Sequence, residues 1–178
     1  IIYQRKSLET IQKIDFDYQI RPYYHRTATI RLYPILNIYI DKLQNEIDKV
    51  FQEYDYVPYL CRDIHANYTI CQRVEFPGNF DRWFIYDEND YIDIGNQIKN
   101  YLLKYTIPFL DKCNSIERLI YTYENTDYIA IDNRVLINIV IAYFLCNQKQ
   151  KAIALLEEKF KNFYSNDIYK TIYNAYCV

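Results

Sequence analysis

The 178 residues fit one domain, and a chain of this length buries about 70% of the surface it exposes unfolded, enough for a core without metal or disulfide staples. With 51% hydrophobic and 25% charged residues, the composition excludes intrinsic disorder. A net charge of −2 hides an acidic middle: residues 75–132 carry 5 basic against 11 acidic side chains, a local charge of −6 that speaks against nucleic-acid binding there and suits a basic partner.

Along the chain, Leu8, Ile11 and Ile14 are spaced for a short helix over 7–14. Residues 16–20 alternate apolar and polar side chains and predict a strand. Residues 27–40 are the clearest strand region, with Pro34 marking an edge, a bulge or a break into two strands. Asp41 then reads as an N-cap, and Leu43, Ile47, Val50 and Phe51 form the apolar stripe of a helix that ends before Pro58. Residues 67–76 and 80–86 read as strands joined through Pro77, Gly78 and Asn79, which predicts a hairpin.

From Tyr91 the hydrophobic period changes from 2 to 3.6. Ile94, Ile98, Leu102 and Leu103 are assigned to one helical face, and Pro108 should kink that helix or start a new one. Asn114 with Glu117 resembles a capping box ahead of a helix over 116–123. Residues 133–146 are apolar nearly all round and predict a buried helix. This run is interrupted by Asn138 and falls short of the roughly 18 residues a membrane span needs. After a polar turn at Asn147, Gln148 and Lys149, the residues Ala152, Leu155, Leu156 and Phe160 mark an amphipathic helix, and a last helix is expected over 167–176.

Strands early and helices late define an α+β class. The expectation is one domain over 1–178, strand-rich over 16–86 and helical over 91–176. An antiparallel sheet of about four strands in the N-terminal half would be covered on one face by helices of the C-terminal half.

Signals for chemistry are sparse. Cys61 and His65 would share a face on a helix, yet two ligands make no structural zinc site, and the other histidine, His25, lies far along the chain. Asp87, Glu88, Asn89, Asp90 and Asp93 form the densest acidic cluster. A calcium loop fails there, because Tyr91 occupies a ligand position and no Gly follows. The cluster reads either as a solvated turn at a helix start or as a partner-facing patch. Gly78 and Gly95 are the only glycines, which excludes Gly-rich phosphate cradles, and no GxSxG, P-loop or GxGxxG occurs. Arg26 and Arg31 among Tyr23, Tyr24 and Tyr33 could stack RNA bases, but the glycines of that pattern are missing and sheet packing explains the same residues. The chain is therefore expected to have no catalytic, metal or cofactor site and not to be an enzyme. A hydrolase using dispersed carboxylates is the weaker alternative.

Five scattered cysteines, Cys61, Cys71, Cys113, Cys146 and Cys177, form no CxxC pair and predict reduced thiols in a cytoplasm. The chain contains no Met, so Ile1 reads as a trimmed start. The 22 tyrosines fit two readings that can both hold: AT-rich coding, which also favours Ile, Asn and Lys, and a Tyr-rich binding face.

Three stretches carry a resemblance: RLYPILNIYIDKLQNEIDKVF over 31–51, NQIKNYLLKYTIPFLDKCNSIERLI over 96–120, and NRVLINIVIAYFLCNQKQKAIALLEE over 133–158. They resemble segments of small α+β families from bacterial polymorphic-toxin systems. The third also resembles a single helical repeat of the tetratricopeptide kind. The resemblance implies a cytoplasmic immunity protein that binds and neutralises a cognate toxin, and it carries over no residue roles. A protein partner with a basic face is expected, with neither nucleic acid nor membrane. Trp83, Tyr86, Asp87, Glu88 and Asp90 are the candidate contact residues, an aromatic anchor with acidic steering. A scaffold that binds a peptide in a groove near 135–160 is the other alternative.

Overall fold

A computed structural model describes residues 3–7, 9–23, 27–53, 69–73, 83–126, 133–161 and 166–178. Strands β1 (Tyr3–Lys6), β2 (Thr10–Ile20), β3 (Ile30–Ile40), β4 (Ile70–Arg73) and β5 (Trp83–Ile85) form one antiparallel sheet. Its order is β1-β2-β3-β4, with β5 also pairing β3. The sheet is thus four positions wide, and β4 and β5 share the fourth. One helix lies between β3 and β4 and the others follow β5, giving the expected α+β arrangement.

Several local expectations give way. The segment over 7–14 is no helix, because β2 already begins at Thr10. Its buried residues are Thr10, Gln12 and Ile14, a period of 2 in which two polar side chains hold core positions. β1, which pairs Tyr3 with Ile14, had no sequence signal of its own. The strands over 67–76 and 80–86 form no hairpin with each other among the described residues. β4 pairs Ile35–Ile38 of β3, while β5 pairs Ile30–Leu32.

Pro34 sits inside an unbroken β3. The Asp41 N–H donates to the Glu9 carbonyl at 3.0 Å, so odd-numbered residues of β3 bond to β2. The ring nitrogen of Pro34 therefore faces the opposite edge. There it falls between the stretch paired by β4 and the stretch paired by β5, where its missing N–H costs neither ladder a bond.

Helix α1 (Asp41–Glu53) follows β3 without a linker and buries Leu43, Ile47, Val50 and Phe51, the predicted stripe. Next come α2 (Asp90–Tyr101), a π-turn over Leu102–Thr106, and α3 (Ile107–Lys112). The wide turn accommodates Pro108 in the first turn of α3: the Ile107 N–H bonds back to the Leu102 carbonyl, and the chain stays helical. Tyr101 and Thr106 are buried here, whereas Leu103 is exposed, so it does not share the face of Ile94 and Ile98.

Helix α4 (Ile116–Asn125) is capped by Ser115, whose hydroxyl accepts from the Arg118 N–H at 3.3 Å; Asn114 is not the cap. Helix α5 (Asn133–Leu145) is buried at every position from Val135 to Tyr143. It ends in a Schellman turn, with Asn147 at φ 57° and the Gln148 N–H reaching the Tyr143 carbonyl at 2.8 Å. Helix α6 (Lys149–Phe160) buries Ala152, Leu156 and Phe160, and α7 (Asn166–Cys177) buries Ile168 and Ile172. Helices α1, α4 and α6 pack directly on α5.

Buried polar side chains join the two halves. The Gln12 amide donates to the carbonyls of Leu110 at 2.7 Å and Cys113 at 3.3 Å, satisfying the C-terminal end of α3, and its oxygen accepts from Arg5. The Asn138 amide donates to the Thr69 carbonyl at 2.6 Å, while the Thr69 hydroxyl accepts from the Ile40 N–H at 3.0 Å. A carbonyl left unpaired in the core costs about 1–3 kcal/mol. Gln12→Ala should therefore lower unfolding stability by about 3 kcal/mol in urea titrations, more than its lost side-chain volume explains.

Two carboxylates are held below the usual range. Glu124 is lowered by hydrogen bonds from Lys151 and then Tyr143, and Glu117 by its own backbone N–H and then the Ser115 hydroxyl. A lowered folded-state pKa gives stability that is complete above the unfolded value and is lost as pH falls through the folded one. Urea midpoints should thus fall as pH drops below about 4, and Glu124→Gln should flatten that dependence.

Candidate partner-binding surface

At the far end of the sheet the helical layer covers β5, where Trp83 and Ile85 are buried, but leaves β2 uncovered. On the helix-facing side of β2, Ile14 is sealed and Phe16 half-buried, whereas Tyr18 and Ile20 are each 62% exposed. Their cross-strand partners are Leu32 and Ile30 of β3, and these in turn pair with Trp83 and Ile85 of β5. One backbone residue, Thr29, laces the three strands at this end. Its carbonyl accepts from the Arg21 N–H and its N–H donates to the Ile85 carbonyl, each at 2.8 Å, and its hydroxyl donates to the Tyr86 carbonyl at 2.8 Å. Arg21 adopts φ 50°, turning the chain out of β2. Beside it lies an open groove of about 450 Å³ lined by Arg21, Pro22, Tyr23, Thr27, Ala28 and Thr29.

Beyond β5 the chain turns into α2 through the acidic cluster. Asp90 Oδ2 accepts from the Tyr86 N–H at 2.7 Å and the Asp87 N–H at 3.2 Å. Asp87 Oδ1 accepts from the Asn89 N–H at 2.8 Å. A carboxylate suits this place, because it satisfies free N–H groups and meets the positive end of the α2 dipole. The turn is thus fixed by its own acids, and it leaves Tyr86, Asp87 and Glu88 exposed. Tyr91 and Ile92, on the first turn of α2, are exposed as well, Ile92 by 76%.

The five sequence candidates are close together in the chain, yet they differ in kind. Tyr86, Asp87 and Glu88 face solvent, and Asp90 is half-buried with its carboxylate engaged in the turn. Trp83 is a correction: it is 3% exposed, with its ring edge-on to Tyr101 at 5.2 Å and 80°. It is a core residue of β5 and is not exposed at this surface. Tyr18, Ile20, Tyr91 and Ile92 are exposed beside them without a local sequence signal. The apolar alternation of β2 runs on past Phe16, and nothing local shows where the helices stop.

The opposite sheet face is polar. The Tyr33 hydroxyl donates to Asp17 Oδ2 at 2.7 Å, Asn37 donates to Asp15 Oδ2 at 3.0 Å, and the Arg31 guanidinium lies 5.1 Å from the Tyr33 ring centre. His25, Cys61 and His65 lie outside the described residues. Among the described residues no group of three His, Cys, Asp or Glu side chains could hold a metal ion, and no helix is long and apolar enough to cross a membrane. Burial pushes the Cys113 thiol up to about 12, which leaves it unreactive. The apolar positions of α5 and α6 that a peptide groove would use are filled by neighbouring helices. Compared with protein-family models, curated proteins and solved structures, the chain matches none.

Asp90→Ala removes the acceptor for two backbone N–H groups at the start of α2. It should cost about 1 kcal/mol and speed amide exchange at Tyr86 and Asp87 while leaving exchange in α5 unchanged, as read by hydrogen–deuterium exchange.

Proposed function

We propose that this chain is an inhibitor of the immunity kind, acting in the cytoplasm by binding the basic face of a toxin with an acidic, tyrosine-bearing turn. The observation that carries the reading is the exposed Tyr86–Glu88 turn, braced from within by Asp87 and Asp90 and flanked by Tyr91 and Ile92. A tyrosine held on a rigid turn presents a large contact area with little entropy left to lose. Glu88 and Asp93 project negative charge around it, within a segment whose net charge is −6 by its 5 basic and 11 acidic side chains. Acidic steering of this kind speeds encounter with a basic cleft and weakens with salt.

Inhibition by covering needs no reactive group, and this agrees with a chain in which Gly-rich cofactor loops are missing. The resemblance of residues 31–51, 96–120 and 133–158 to immunity-type families supports the same reading.

The test is co-expression with each toxin encoded beside the gene, scored by growth. Rescue should be seen with one of them. Tyr86→Ala should weaken the purified complex on the order of 30-fold, as for an anchor residue, and Glu88→Lys should slow association and reduce its salt dependence. Absence of rescue by the folded protein against every neighbouring toxin would sink the proposal.

A further inference from the structure

The outer side of α2 carries a second surface. Its inner side is settled by Tyr101, which is buried against Trp83, with Ile94 and Ile98 half-buried beside it. The side turned away from these residues presents Ile92, Asn96, Lys99 and Leu103. All four are exposed, Ile92 by 76% and Leu103 by 56%. Their spacing of i, i+4, i+7 and i+11 keeps them in one row about 16 Å long, the arrangement of a coiled-coil seam. Only the last member lies in the π-turn.

Two further observations say what lies against this row. Gly95 flanks it in mid-helix, where glycine weakens a helix relative to alanine. Outside its own helix nothing stands within 4 Å of where a Gly95 Cβ would be, so no contact within the chain calls for a glycine. Its use is on the outside, where bare backbone lets another helix come close. Charge is also divided along α2. Glu88 and Asp93 are exposed at its start, and Lys99 and Lys104 at or just past its end. Among the described residues neither Asp93 nor Lys99 has an ion-pair partner.

We propose that two copies of this chain associate through α2, antiparallel about a two-fold axis that crosses the row between Asn96 and Lys99. Ile92 of each copy then meets Leu103 of the other, and Asn96 meets Lys99. A helix with an acidic start and a basic end is complementary to its own reverse. Antiparallel packing sets Glu88 and Asp93 beside Lys104 and Lys99 of the second copy and opposes the two helix dipoles. Parallel packing would set acid against acid. Four residues a side are far fewer than the roughly 20–30 of a standard interface, so this dimer is weak and forms at high concentration. The proposal does not rest on the toxin-binding reading. Ile92 and Glu88 do belong to both surfaces, so a bound toxin would displace the second copy.

The test is sedimentation of the full chain between about 10 μM and about 1 mM. The average mass should rise from 21.8 kDa toward twice that value, and less so as salt increases. Leu103→Glu changes an exposed side chain, so the fold should survive while association drops at least about tenfold. Asp93→Lys and Lys99→Glu should each weaken association roughly fivefold, and the two together should restore it. Gly95→Ala should raise the urea midpoint of the monomer yet weaken the dimer. Tyr86→Ala should leave self-association unchanged while weakening a toxin complex, so the two readings fail separately. A chain that stays at 21.8 kDa up to about 1 mM, a dimer indifferent to Leu103→Glu, or a double swap that restores nothing overturns the proposal.

Discussion

Helix α5 is apolar around its whole circumference from Val135 to Tyr143, and water has to be kept from all of it. One sheet cannot do that. Helices α1, α4 and α6 pack directly against it, and Asn138 ties it to the backbone ahead of β4. Most of the helical layer is arranged to meet this requirement. The single polar side chain within the run is not a defect, because its amide has one backbone acceptor waiting in the core. Gln12 plays the matching part from the sheet, supplying donors to the end of α3.

A layer gathered around α5 leaves the end of β2 short of cover. There β2 leaves Tyr18 and Ile20 exposed, and β5 ends just ahead of the acidic turn. Thr29 ties that end together through backbone bonds to two strands, beside the buried Trp83 and Ile85 of β5.

Periodicity made much of this legible. The stripe Leu43–Ile47–Val50–Phe51, the all-apolar α5 and the Ala152–Leu156–Phe160 face of α6 each fell where the pattern put them, because burial of one face enforces a period. The failures share a cause in partners remote in sequence. Leu8, Ile11 and Ile14 mimic a helix only until the buried positions prove to include Thr10 and Gln12, whose place depends on Ser7 at one end and α3 at the other. Pro34 is tolerated in a central strand because its neighbours β4 and β5 stop on either side of it. Trp83 looked like a surface anchor beside an acidic turn, but Tyr101, 18 positions further on, packs against its ring.

By itself, then, the sequence determined the class of fold, the identity of its buried helices and the lack of glycines for a phosphate-binding loop, since these follow from side-chain periodicity and backbone permission. Only the tertiary structure decided which strands pair, which aromatic residues are sealed and where the sheet is left uncovered. Those outcomes depend on contacts between segments many residues apart, and no local pattern encodes the distance at which one layer stops covering another.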